Sequence, residues 1–119
     1  MIAIVDYKKG NLKSVERGIV AAGGEAAVTA DAGAIARADA IVLPGVGAFA
    51  DAVATMNELG QMDAIREALT RGVPFLGICL GLHLMFEAGV EGTPVGEPAR
   101  GLGFLPGTVV EMPRIGEAG

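Results

Sequence analysis

The chain has 119 residues, of which 51% are hydrophobic and 19% charged, and its formal net charge is −5. Such a chain is long enough for one compact domain over residues 1–119, and its composition is globular, not disordered. An acidic balance argues against binding nucleic acid through phosphate contacts, and one cysteine with one histidine excludes an intrachain disulfide and a zinc site of the usual type.

The elements alternate along the chain. Ile2-Ala3-Ile4-Val5 is a continuous apolar run, the pattern of a strand buried on both faces. It is too short for a signal peptide and is followed by Asp6. No apolar run reaches membrane-spanning length, so a soluble cytoplasmic protein is expected. Gly10 breaks the run and Asn11 is the N-cap of a helix carrying Leu12, Val15, Ile19 and Ala22, which Gly23-Gly24 ends. Ala26-Ala27-Val28 is a second strand, and Asp31 caps a brief helix through Ala38. Ala40–Leu43 is a third strand, stopped by Pro44-Gly45. Two helices follow, one presenting Phe49, Val53 and Met56, the other Met62, Ile65 and Leu69. Phe75–Ile78 is a fourth strand that delivers Cys79 to a helix lined by Leu82, Met85 and Phe86. Residues 89–107 read as loop around a short strand at Gly103-Phe104-Leu105, and Thr108-Val109-Val110 as one more strand. Met112 to Gly119 closes no element. Strands separated by helices predict a parallel sheet covered on both faces, with the site at the carboxyl ends of its strands. The turns at Tyr7–Asn11, Pro44–Gly47 and Cys79–Gly81 should therefore gather at one edge.

The informative motif is Gly77-Ile78-Cys79-Leu80-Gly81. A free cysteine is most often a small buried hydrophobe. Here two glycines, a strand before and a helix after describe a thiol nucleophile held on a sharp turn. At a helix N-terminus the dipole favours thiolate, and the N–H of Leu80 points toward a developing oxyanion. Pro44-Gly45-Val46-Gly47 alone is a common turn. Beside the cysteine it reads as an oxyanion strand, because Gly45 and Gly47 let a peptide present its N–H to negative charge.

These residues resemble the class I glutamine amidotransferases, a Cys-His-Glu glutaminase family with a flavodoxin-like α/β fold. Asp6-Tyr7, Gly10-Asn11-Leu12, Leu43 to Phe49, Gly77 to Gly81, Gly101-Leu102-Gly103 and Pro106 to Val110 are similar to one branch of it. That branch is the glutaminase subunits of imidazole glycerol phosphate synthase, in histidine biosynthesis. The resemblance covers nearly the whole chain and only the N-terminal part of such a subunit. It implies that Cys79 attacks the glutamine amide, with Val46, Gly47 and Leu80 as the oxyanion hole and Gly45 and His83 contacting substrate. It implies a (β/α)8-barrel cyclase partner that receives the ammonia, an interface near Asn11, and no cofactor or metal.

Three departures stand out. The family's catalytic His and Glu lie in a segment beyond these 119 residues. His83 stands where this branch commonly has Gln; one helical turn from Cys79, it is poorly placed to act as a base facing the thiol. The first turn reads Tyr7-Lys8-Lys9-Gly10, where the family prefers small residues. With Lys13 and Arg17 it forms a basic cluster, read as a solvated helix face or, more sharply, as a partner-facing patch. The expectation is an N-terminal part of the glutaminase with an incomplete sheet and negligible turnover alone. Two alternatives remain: a non-catalytic module that docks on the cyclase, and a subunit of another class I amidotransferase, against which Val46 and the Asp6–Leu12 segment argue.

Overall fold

The computed structural model describes residues 1–8, 12–90, 93 and 97–110. Strands β1 (Ile2–Val5), β2 (Ala26–Thr29), β3 (Ala40–Leu43) and β4 (Phe75–Gly77) form one parallel sheet in the order β2-β1-β3-β4. Helices α1 (Leu12–Ala21), α2 (Ala32–Ala36), α3 (Phe49–Glu58) and α4 (Gln61–Thr70) alternate with them. This is the expected α/β architecture, a partial flavodoxin-like sheet with helices on both faces. Among the described residues no helix is long and apolar enough to cross a membrane.

Strand alternation decides what each face buries. Ala3, Val5, Ile41 and Leu43 join one core with Ile35 of α2, Phe49 and Met56 of α3, and Met62 and Ile65 of α4. Ile4 and Val42 point the other way and are paired in register with each other, and Val42 with Leu76. Along that row exposure rises from 0% at Ile4 to 6% at Val42 and 57% at Leu76. The second face is thus covered over the middle of the sheet and open at its β4 edge.

Local signals hold where they were strongest. The Asp31 carboxylate accepts the N–H of Ala34 at 2.9 Å, which caps α2. That helix ends at Ala36, two residues short of the expected Ala38. The expected N-cap Asn11 lies outside the described residues, as do Lys9 and the segment after Val110.

The region after Cys79 departs from expectation. Helix α5 (Leu80–His83) is one turn long, and Phe86, expected on its apolar face, opens strand β5 (Phe86–Gly89). The cause is tertiary. The carbonyls of Leu84, Met85 and Phe86 accept N–H groups from Leu102, from Phe104 and Leu105, and from Gly103. Those bonds draw the backbone out of the helix and override helix propensity. Strand β6 (Ala99–Arg100) lies in the expected loop, and β7 (Leu105–Val109) merges the two expected short strands, with Gly103 and Phe104 left in a turn. Together they form a second sheet, β6-β5-β7, with β5–β6 antiparallel and β5–β7 parallel.

Candidate active site

The carboxyl ends of β1, β3 and β4 carry the site. After β4 the chain turns at Cys79 with φ 53° and ψ −116°, a conformation rare for a side chain other than glycine. Holding it costs on the order of 1–3 kcal/mol and persists only where neighbours over-determine it. Here they do. The N–H of Ile78 donates to the carbonyl of Leu43 at 3.0 Å, and a Cβ at Gly81 would fall inside that same carbonyl. A Cβ at Gly77 would sit 2.8 Å from the Gly81 carbonyl oxygen and the Leu82 nitrogen. The two glycines flanking the cysteine are therefore required by backbone approach, and the strained turn leaves the Cys79 thiol exposed.

The turn after β3 meets this one. Pro44 and Gly45 are buried, while Val46 is 61% exposed and Gly47 exposed with φ +114°. The Gly45 carbonyl accepts the N–H of Leu80 at 3.0 Å. In this arrangement the expected oxyanion donor Leu80 is engaged by the neighbouring turn. Helix α5 is only one turn long, so few aligned peptides stand behind Cys79 at its N-cap. The Cys79 thiol has no hydrogen-bond partner among the described residues.

His83 is exposed on α5, joined to Cys79 only by a 3.3 Å backbone bond from its N–H to the Cys79 carbonyl. Among the described residues no side chain hydrogen-bonds the imidazole or the thiol. Asn11 lies outside the described residues. Cys79, Leu80, Gly45, Val46 and Gly47 are thus brought together, and His83 stands one turn further along α5 without a hydrogen bond to the thiol.

Two residues near the site escaped the sequence reading of roles. Tyr7 follows β1, is 0% exposed, and its hydroxyl donates to the Pro44 carbonyl at 2.8 Å. A Cβ at Gly45 would overlap that hydroxyl. Burial raises the phenol pKa well above the usual tyrosine value, so the group stays a donor. Gln61, at the start of α4, is 0% exposed; its Nε2 donates to the carbonyls of Asp6 at 2.8 Å and Ala30 at 3.2 Å. It ties together the carboxyl ends of β1 and β2. The only signal for Gln61 was a polar residue opening an otherwise apolar helix face. A separate cleft of about 830 Å³ lies between α3, α4 and the second sheet, lined by Arg66, Glu87 and Arg100 among others, and does not include Cys79.

A strained cysteine turn on a parallel sheet, packed against a Pro-Gly-Val-Gly turn, defines the class. The family profile "Glutamine amidotransferase class-I" matches residues 3–119, and the chain belongs to that family. Within it, the chain is 50% identical over 112 residues to imidazole glycerol phosphate synthase subunit HisH of Moorella thermoacetica, covering 94% of this chain and 51% of that one. It is 47% identical over 115 residues to the HisH subunit of Rhodopirellula baltica, covering 95% and 54%. The chain spans about half the length of the curated relatives it matches and corresponds to their N-terminal part. A solved glutamine amidotransferase superposes with a TM-score of 0.71 at 21% identity, over 92% of this chain and 55% of that one, and so agrees on the fold.

Proposed function

We propose that residues 1–119 are one glutamine amidotransferase domain, the N-terminal portion of a glutaminase subunit of imidazole glycerol phosphate synthase. Cys79 is its nucleophile. The sulfur forms a bond to the side-chain carbonyl carbon of glutamine, the carbon–nitrogen bond breaks, and the thiol proton leaves with the nitrogen as ammonia. Water then cleaves the thioester to glutamate and restores the thiol. The observation that carries this reading is the strained, exposed Cys79 turn locked onto the β3 end.

The backbone at Val46–Gly47 and the N–H of Leu80 hold the developing oxyanion, which requires the Gly45 carbonyl to release Leu80. Gly45 and His83 contact the substrate. The ammonia passes to a (β/α)8-barrel cyclase in a cytoplasmic heterodimer, with Asn11 near the interface; neither nucleic acid nor a membrane is a partner. The chain by itself does not turn over glutamine, because its single histidine, His83, makes no hydrogen bond to the thiol.

A glutamine-mimicking diazoketone tests the nucleophile. Mass spectrometry should find one adduct, on Cys79, and none in Cys79→Ser. Steady-state ammonia release from glutamine by the 119-residue chain should be absent; sustained release abolished by Cys79→Ser would overturn the inactivity. An adduct on any other residue, or none at all, would overturn the role of Cys79.

A further inference from the structure

Three carboxyl-end turns are joined by a short series of hydrogen bonds. The Tyr7 hydroxyl, on the turn after β1, donates to the carbonyl of Pro44 at 2.8 Å. The next residue, Gly45, accepts the N–H of Leu80 at 3.0 Å through its own carbonyl. The Tyr7 ring also fills the space on the Cα of Gly45, so the turn is gripped by hydrogen bond and by shape. Tyr7 is wholly buried, so it lines no surface open to substrate.

We infer that Tyr7 is a positioning residue that latches the Pro44–Gly47 turn and thereby sets whether the Leu80 N–H is held by Gly45 or is available to the reaction. The Pro44 and Gly45 carbonyls lie on successive planar peptides hinged at the Gly45 Cα. The Tyr7 hydroxyl holds the first plane and the Tyr7 ring packs against that Cα, so one side of the hinge from which the Gly45 oxygen reaches Leu80 is fixed. The latch makes the turn after β1 part of the cysteine site without lining it. Its consequence for catalysis rests on the glutaminase reading; its existence does not.

Amide hydrogen exchange on the 119-residue chain tests it, with Tyr7→Phe as the variant. Phenylalanine keeps the ring and removes only the donor. The Ile78 N–H, bonded to Leu43, serves as an internal control on the same loop. The expected result is a Leu80 amide that exchanges about tenfold faster in Tyr7→Phe while Ile78 is unchanged. Equal Leu80 exchange in both chains overturns the inference. So does a uniform acceleration of Leu80, Ile78 and the strand amides, or failure of the variant to fold, since either would make Tyr7 merely structural. The diazoketone adduct separates the two readings. If Cys79 takes no adduct but Leu80 responds to Tyr7→Phe, the glutaminase reading fails and the latch stands. If the adduct forms and Leu80 does not respond, the latch alone fails.

Discussion

The Tyr7 hydroxyl and the Pro44 carbonyl meet at 2.8 Å in a buried contact between residues 37 apart in sequence. Tyr7 is the chain's single tyrosine and there is no tryptophan, so its near-ultraviolet titration is unambiguous. Burial raises its pKa in the folded chain above the ordinary value of about 10. The sign follows. Below about pH 10 the phenol is protonated in both states and the stability is fully present. As pH rises further the unfolded chain loses this proton first, and stability falls by up to about 1.4 kcal/mol per pH unit from this group. Denaturant titrations at rising pH should show that slope in the parent and its loss in Tyr7→Phe.

Gly45→Ala should be among the most damaging small changes near the site. Its methyl would overlap the Tyr7 hydroxyl. Overpacking of this kind costs about 3 kcal/mol. Removing the hydroxyl should relieve part of the clash, so Gly45→Ala should cost about 1 kcal/mol less in a Tyr7→Phe background. Urea midpoints of the four chains in the cycle measure the difference; additive effects would contradict the contact.

Cys79→Gly trades chemistry for stability. Glycine adopts φ 53° without the side-chain penalty that cysteine bears there. The variant should unfold at higher urea, by about 1 kcal/mol, and should take no alkylating label. Equal or lower stability would mean the turn is not strained.

Gln61→Met keeps length and apolar bulk but leaves the carbonyls of Asp6 and Ala30 without the amide that bridges them. Two part-buried hydrogen bonds losing their shared donor should cost about 1 kcal/mol. The Gln61 Oε1, without a partner among the described residues, offsets part of the wild-type gain, which is why the cost should not be larger. Chemical denaturation of the variant checks the magnitude.

Leu76→Lys addresses the open row on the second face. Leu76 is 57% exposed on β4, an edge strand of its sheet. Placing a charge there should change stability by less than about 0.5 kcal/mol. It should also reduce self-association, because an apolar edge strand is a template for pairing. Sedimentation velocity at several concentrations reads the effect.

Most of the first sheet was legible from residues 1–78. Runs such as Ile2–Val5 and Ala40–Leu43, and stops such as Pro44 and Gly72, act locally, so each strand and helix could be placed without knowing its neighbours. The region from Leu84 to Val109 was not legible in the same way. Leu82, Met85 and Phe86 carry a helical apolar pattern, but the carbonyls of Leu84, Met85 and Phe86 are taken by residues 102–105. No local signal says which of two hydrogen-bond partners a carbonyl will find.

The sequence by itself determined the cysteine between its glycines, the Pro-Gly-Val-Gly turn and the order of strands and helices through β4. These are encoded by short-range sterics: which residues tolerate a tight turn, and which period an apolar pattern follows. Only the tertiary structure decided that α5 stops after one turn, that Leu80 donates to Gly45, and that Tyr7 grips the turn between them. Each of those depends on groups far apart in the chain competing for the same donor, acceptor or volume. Such a competition is settled by packing, not by any single stretch of residues.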